Sequence, residues 1–155
     1  VFVTHDQEES LYMGDRLAVL QGGHLEQIGT PEEIFHESNT RFVAEFMGDS
    51  DFLKGKVAQR GIQTEIGLLT EVVDLPISTP VEIAVRADDI DFQIDGSGNS
   101  VIVERFFRGA FNLYRLRLDS GQILHASTEH TRIYPVGARV RAYMSAEHPL
   151  TVFSE

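Results

Sequence analysis

Nine short runs of strand-forming residues occupy the sequence after residue 50, and they constrain the fold more than any other feature. Turn-forming residues such as Gly61, Pro76 and the Asp95–Ser100 segment separate them. In the Asn112–Leu118 run, the odd-numbered side chains face one way and the even-numbered, more apolar ones the other. This pattern predicts a small antiparallel barrel or a sandwich. The runs are Phe52–Ala58, Ile62–Ile66, Val81–Arg86, Asp91–Ile94, Val101–Phe107, Asn112–Leu118, Gln122–Ala126, Arg139–Met144 and Leu150–Phe153.

The first 48 residues instead alternate between strand and helix patterns. Glycine, proline and helix-capping residues set the boundaries. We therefore predict two domains, a short α/β segment over residues 1–48 and a β domain over residues 49–155. The elements predicted in the first segment are a strand end at Val1–Val3, a helix from Asp6 to about Met13 with Glu9 as capping-box partner, a hairpin of Arg16–Leu20 and His24–Ile28 around Gly22-Gly23, a helix capped by Thr30, and a helix within Asn39–Gly48 that places Phe42, Val43 and Phe46 on one face and is closed by Gly48.

The composition excludes several classes of function. The net charge is −11, and residues 1–50 carry ten acidic residues against two basic ones. Such a balance opposes contact with a nucleic-acid backbone, which requires Lys and Arg at the phosphates. The sequence has no cysteine and therefore no disulfide or thiolate metal site. No apolar run approaches the roughly 20 residues that span a bilayer.

The sequence resembles a known family in two places. "VFVTHDQEES", "DRLAVLQGGHLEQIGTPEEIF" and "RFVAEFMG" resemble the end of the nucleotide-binding subunit of bacterial ABC importers. "VEIAVRADDI", Val81–Ile90, is similar to the "V-R-P-E-D-I" stretch of the TOBE domain that follows in such subunits, with Ala87 in place of the proline and Asp88 in place of the glutamate. The resemblance implies a short α/β remnant of a P-loop ATPase domain followed by a TOBE-type regulatory domain, and therefore a mainly β chain whose β domain is an OB-like antiparallel barrel.

By this resemblance, His5 is the switch histidine, which contacts the γ-phosphate of ATP. An imidazole N–H at that position stabilises charge that develops during phosphoryl transfer to water. The alternative is a turn histidine with no role in catalysis. The resemblance further implies ATP and Mg²⁺ as cofactors and a homodimer bound to permease subunits. It places the parent protein on the cytoplasmic face of the membrane.

The 155 residues contain only this one part of an ATPase site. No G-x-x-x-x-G-K-[ST] phosphate loop occurs in the sequence, so Lys and Ser/Thr ligands for the phosphates and Mg²⁺ are missing. Val1 also begins in the middle of a pattern. We therefore expect a piece of a longer chain, without ATPase activity or bound cofactor of its own, whose parent hydrolyses ATP.

Four arginines form a further candidate site. Arg105, Arg108, Arg115 and Arg117 lie on two runs that we expect to pair through the Gly109-Ala110 turn, so that their guanidinium groups share a face. An arginine cluster can bind an oxyanion. The alternative function is therefore a small-oxyanion sensor, although the same charges could balance neighbouring acids. No metal site is predicted, and Glu129-His130 lacks the usual ligand spacing. The Phe107–Gly121 stretch looks most like ferric-iron importers, with polyamine importers next.

Overall fold

The computed structural model describes residues 1–48 and 50–154. The chain divides into two compact units, Val1–Ser50 and Asp51–Glu155. The predicted domain boundary falls at Asp49, which lies outside the described residues, and the identity of the two domains stays a prediction. The three described helices have seven residues at most, so none is long enough to cross a membrane.

The first unit contains three short helices and one hairpin. Thr30 caps the second helix in a full capping box, since its hydroxyl accepts from Glu33 N at 3.2 Å and the Glu33 carboxylate accepts from Thr30 N at 3.0 Å. Val19, Ile34, Val43 and Met47 form the buried core. The elements are α1 (Gln7–Tyr12), β1 (Leu17–Gln21), β2 (His24–Gly29), α2 (Pro31–His36) and α3 (Arg41–Met47).

The hairpin turn is the predicted Gly22-Gly23 pair. Their φ angles are 56° and 80°, the left-handed values that a two-residue type I′ turn requires. Gln21 pairs with His24 on either side of the turn. The glycines therefore form the turn, as predicted, and the pairing register shifts further along the hairpin, between Val19 and Leu20.

The predicted strand end at Val1–Val3 is wrong for this structure. Val1, Phe2 and Val3 are exposed and pair with no strand among the described residues. A strand exists only where a neighbour satisfies its backbone N–H and C=O groups, and an apolar run cannot supply that neighbour.

The second unit consists of two five-stranded antiparallel sheets. One sheet has the order β12–β6–β3–β4–β5, and the other has the order β10–β9–β8–β11–β7. The strands are β3 (Asp51–Ala58), β4 (Gly61–Thr64), β5 (Gly67–Leu69), β6 (Pro80–Val85), β7 (Ile90–Ile94), β8 (Ser100–Phe107), β9 (Phe111–Leu118), β10 (Ile123–Glu129), β11 (Arg139–Met144) and β12 (Thr151–Ser154), with a 3₁₀ turn at Ala87–Asp89.

One apolar core is shared by these two sheets. Asn112, Tyr114, Leu116 and Leu118 on β9 are buried, whereas the residues between them are half-buried or exposed. The predicted alternation along this run is thus confirmed, and so is the mainly β fold with antiparallel sheets. Strand ends differ from the predicted runs by up to three residues, and the short β5 had no counterpart among them.

Candidate functional site

His5 lies in the turn that leads into α1, with its side chain exposed. Asp6 caps the helix by accepting from Glu9 N at 3.1 Å. The Glu9 carboxylate does not complete the predicted capping box. It accepts instead from the Thr4 hydroxyl at 2.7 Å, and Asp6 N donates to the same hydroxyl at 3.0 Å. Hydrogen bonds on both sides therefore fix the backbone that presents the His5 imidazole.

The Val81–Ile90 motif forms the corner between β6 and β7. Asp89 accepts from Arg86 N at 2.9 Å, and its carboxylate is buried. Burial lowers the pKa of Arg86, and the carboxylates of Asp89 and Asp88 oppose that effect. Ala87, where the family carries proline, begins the 3₁₀ turn, a position that tolerates the loss of an N–H. The structure therefore explains which residues this motif carries at Arg86, Ala87 and Asp89.

His148 fastens the end of the chain to this corner. Its Nε2 lies 2.7 Å from Asp89 Oδ1, and its Nδ1 lies 2.9 Å from the Pro149 carbonyl oxygen. The contact with that carbonyl, together with the ion pair to Asp89, raises the pKa of His148. Nothing in the sequence motif pointed to this partner, because 59 residues separate the two side chains.

A β-bulge in β8 distributes the four predicted arginines over different surfaces. Ile102 pairs with Leu116 and Glu104 with Arg115, so one extra residue, Val103, interrupts the alternation. Arg115 and Arg117 share the outward face of β9. Glu104, rather than Arg105, lies beside Arg115, and the two side chains form an ion pair. Strict alternation would have put Val103 opposite Arg115 and Arg105 on the outward face; the bulge instead puts the acidic Glu104 opposite Arg115 and turns Arg105 to the other face.

The other two arginines lie elsewhere. Arg105 pairs with Tyr114, whose side chain faces the core, and its Nε donates to Asn112 Oδ1 at 3.2 Å. Arg108 is in the β8–β9 turn, with its guanidinium carbon 5.7 Å from the centre of the Phe106 ring. The expectation that the guanidinium groups share one face is therefore wrong. The ligand-binding role of these residues stays a prediction.

Arg132 organises a polar cluster that sequence analysis missed. Its side chain donates to Tyr134 Oη at 3.0 Å and to Asp91 Oδ1 at 3.1 Å. The hydrogen bond to Tyr134, with the nearby Asp91 charge, raises the pKa of the Arg132 guanidinium. The backbone carbonyl oxygen of Arg132 accepts from Tyr114 Oη at 3.0 Å and from Asn112 Nδ2 at 3.2 Å. These contacts hold the loop after β10 against the core.

The comparisons with known proteins first define the class of the second unit. Residues 83–152 match the family model described as the TOBE domain. This stretch begins in β6, inside the Val81–Ile90 motif, and ends in β12. Residues 83–152 therefore resemble the TOBE domain, which confirms that part of the predicted resemblance.

Relatives then extend the resemblance to nearly the whole chain. The chain is 32% identical over 151 residues to the spermidine/putrescine import ATP-binding protein PotA of Borrelia garinii. The aligned stretch covers 95% of this chain and 43% of the relative. The same figures hold for the corresponding protein of Borreliella afzelii. PotA 1 of Pseudomonas aeruginosa is 33% identical over 139 residues, covering 83% of this chain and 38% of the relative. The chain thus resembles ATP-binding subunits of ABC importers, as predicted, and spans less than half their length.

Among the described residues, no group of three potential metal ligands comes together. Glu129 and His130 face Asn112 through their backbone carbonyl groups, which accept from Asn112 Nδ2 at 3.3 and 3.2 Å. The backbone carbonyl groups of this pair therefore help to hold the loop after β10 in place.

Proposed function

We propose that this chain forms the C-terminal part of the ATP-hydrolysing subunit of an ABC importer. In this proposal, residues 1–48 complete the nucleotide-binding domain, and residues 49–155 form a TOBE-type domain for dimerisation and regulation. One observation carries the proposal: alignment with ATP-binding subunits extends over 95% of the chain and therefore includes most of both units.

The proposed activity belongs to the longer subunit. ATP and Mg²⁺ would bind mainly to parts outside these 155 residues, since the sequence has no phosphate loop. His5 would contribute one side chain, an imidazole that stabilises charge on the γ-phosphate as water attacks. Its exposed position in a hydrogen-bonded turn supports this role. The subunit would dock on permease subunits at the cytoplasmic face of a membrane.

Substitution of His5 in the complete subunit tests this assignment. We expect His5→Ala to reduce ATP turnover by at least about 100-fold, the scale of losing one transition-state donor, and to leave ATP binding nearly unchanged. Steady-state phosphate release and equilibrium nucleotide binding measure the two effects. His24→Ala, at the exposed hairpin turn, is the matched control and should retain turnover. Normal turnover in the His5 variant would show that this residue is not the switch.

The proposed substrate is a polyamine. The named relatives carry spermidine/putrescine import in their names, which supports the polyamine alternative and gives no support to ferric iron. Uptake of labelled putrescine, spermidine and ferric citrate by cells that contain the complete transporter distinguishes the two. We expect polyamine uptake that ceases when the subunit is deleted. Loss of ferric citrate uptake alone would reverse the assignment.

Homodimerisation is also proposed, and sedimentation velocity tests it. A dimer should form with rising protein concentration and should be indifferent to sulfate. The alternative, a sensor of small oxyanions built on Arg105, Arg108, Arg115 and Arg117, has weaker structural support because these side chains occupy different surfaces. That sensor would show a saturable sulfate-induced rise in Tm that Arg115→Ala abolishes.

A further inference from the structure

An open cleft on the second unit is not used by the proposed function. It lies along β3 and the end of β4, with Glu65 of the following turn, and has a volume of about 530 Å³, within the range of small-molecule sites. Lys54 and Lys56 of β3 line it together with Gln63 of β4 and with Ile77 and Ser78 of the loop before β6. Lys54 and Lys56 are exposed and two residues apart, so both side chains lie on the same face of β3.

The two lysines differ in their electrostatic surroundings. Lys54 of β3 pairs with Glu82 of β6. On its other side lies Glu65, the next residue in the β3–β4 register after the pair Gly55–Thr64. Lys56 lies instead between Pro80 and Gln63, which carry no charge. Glu65 is further held by Ser120, whose backbone N and hydroxyl donate to its carboxylate at 2.8 and 2.5 Å. The cleft therefore offers one ammonium group whose charge its strand neighbours do not offset.

The opposite wall of the cleft is apolar and fixed. Ile77 is 64% exposed there. The next residue, Ser78, has a φ of 73°, a left-handed conformation that is costly for a non-glycine residue. Ser78 N donates to Val57 O at 2.7 Å, and Val57 N donates to Thr79 O at 3.0 Å. These bonds tie the loop to β3, so the wall exists before any ligand binds.

We propose that this cleft binds a small organic carboxylate, with the carboxylate at Lys56 and Gln63 and an apolar body against Ile77. A single uncompensated ammonium suits one negative charge, whereas a phosphate dianion requires a second free cation. Gln63 Nε2 donates one hydrogen to Thr64 O at 3.1 Å, and its second N–H adds a donor for the ligand. The exposed isoleucine favours an aliphatic chain over a purely polar anion. This site is independent of the nucleotide chemistry proposed above and is tested without nucleotide.

Titration of the 155-residue chain with hexanoate, followed by backbone amide NMR, tests the proposal. We expect saturable shifts confined to residues 54–58, 63–65 and 77–79, with a Kd on the order of 1 mM, as befits one exposed ion pair plus partial apolar burial. Acetate should bind more weakly because it lacks the apolar body. Hexylammonium should produce no shift in these segments, and inorganic phosphate should bind no better than acetate.

Two lysine variants make the test specific. Lys56→Gln should raise the Kd for hexanoate roughly 5-fold, whereas Lys54→Gln, the matched control on the same strand, should change it by less than about 2-fold. Ile77→Ser should remove the preference for hexanoate over acetate. All three positions are exposed, and unchanged melting curves would verify folding. Equal effects of the two lysine variants, hexanoate shifts elsewhere or absent, or phosphate binding as tight as hexanoate would each overturn the proposal.

Discussion

Single residues of this chain are constrained most tightly where one backbone segment passes another. Gly98, in the turn between β7 and β8, is such a position. A Cβ added there would lie 2.0 Å from the carbonyl oxygen of Val140 on β11. Arg139 Nη1 also donates to Gly98 O at 3.0 Å, which holds the two segments together. The turn can therefore approach β11 only because this residue has no side chain.

We expect Gly98→Ala to lower the free energy of unfolding by about 1–3 kcal/mol, the usual cost of overpacking against an unyielding neighbour. Gly96→Ala is the matched control in the same turn, because a Cβ there meets nothing within 4 Å. That change should stay within about 0.5 kcal/mol of the unaltered chain. Urea unfolding measures both. Equal losses in the two variants would mean that the turn rearranges and that the close approach is not decisive.

Tyr114 is constrained in a similar way, by the hydrogen bonds of its buried hydroxyl group. Its hydroxyl accepts from Tyr134 N and donates to Arg132 O, each at 3.0 Å. Tyr114→Phe leaves the Tyr134 N–H without this acceptor, so we expect a loss of about 1–3 kcal/mol and faster exchange of that amide. Tyr143→Phe, which removes a half-exposed hydroxyl bonded to Asp91, should cost under about 0.5 kcal/mol. Hydrogen exchange and urea unfolding distinguish the two variants. Slow exchange of the Tyr134 amide in the Tyr114 variant would contradict the expectation.

The elements of the fold divide into those that local sequence predicts and those that it cannot. The Gly22-Gly23 turn, the caps at Asp6 and Thr30 and the alternation of β9 depend on neighbouring residues, and all of them appear in the structure. The bulge at Val103 does not depend on neighbouring residues in this way, because it is defined by the pairing with the partner strand. For the same reason, neither the unpaired state of Val1–Val3 nor the separation of the arginines could be predicted.

The contact between His148 and Asp89 joins two elements and should respond to pH. Because the pKa of His148 is raised in the folded chain, its stabilising contribution is complete below the unfolded value of about 6.5 and is lost as pH rises through the folded value. We expect the stability difference between the unaltered chain and His148→Gln to be largest near pH 6 and to shrink above pH 7. His24→Gln, at an exposed turn, is the control. Urea unfolding at several pH values checks this, and a pH-independent difference would contradict it.

At the scale of the whole molecule, the two units have unequal cores. Eighteen buried residues form the main core of the second unit, whereas four form the core of the first. A segment of about 50 residues buries too little apolar surface for high stability. We therefore expect residues 1–50 to exchange their amide hydrogens faster and to unfold at lower urea concentration than the rest.

A shortened chain that begins at Asp51 tests this directly. It should unfold in one cooperative transition, since both sheets and their shared core lie within it. Circular dichroism during urea unfolding measures the transition, and hydrogen exchange of the intact chain locates the less stable unit. A shortened chain without a cooperative transition would show that the first unit is required for the second to fold.

The bulge at Val103 also bears on how this surface can evolve. Strict alternation beyond Ile102 would put Val103 opposite Arg115 and Arg105 on the outward face, whereas the bulge puts Glu104 next to Arg115 and turns Arg105 away. Because the pairs on either side of the bulge, Ile102–Leu116 and Glu104–Arg115, are already consecutive along β9, loss of Val103 would restore alternation and leave both charged side chains on their present faces. A deletion of one codon would thus remove the bulge without altering the electrostatic character of this sheet.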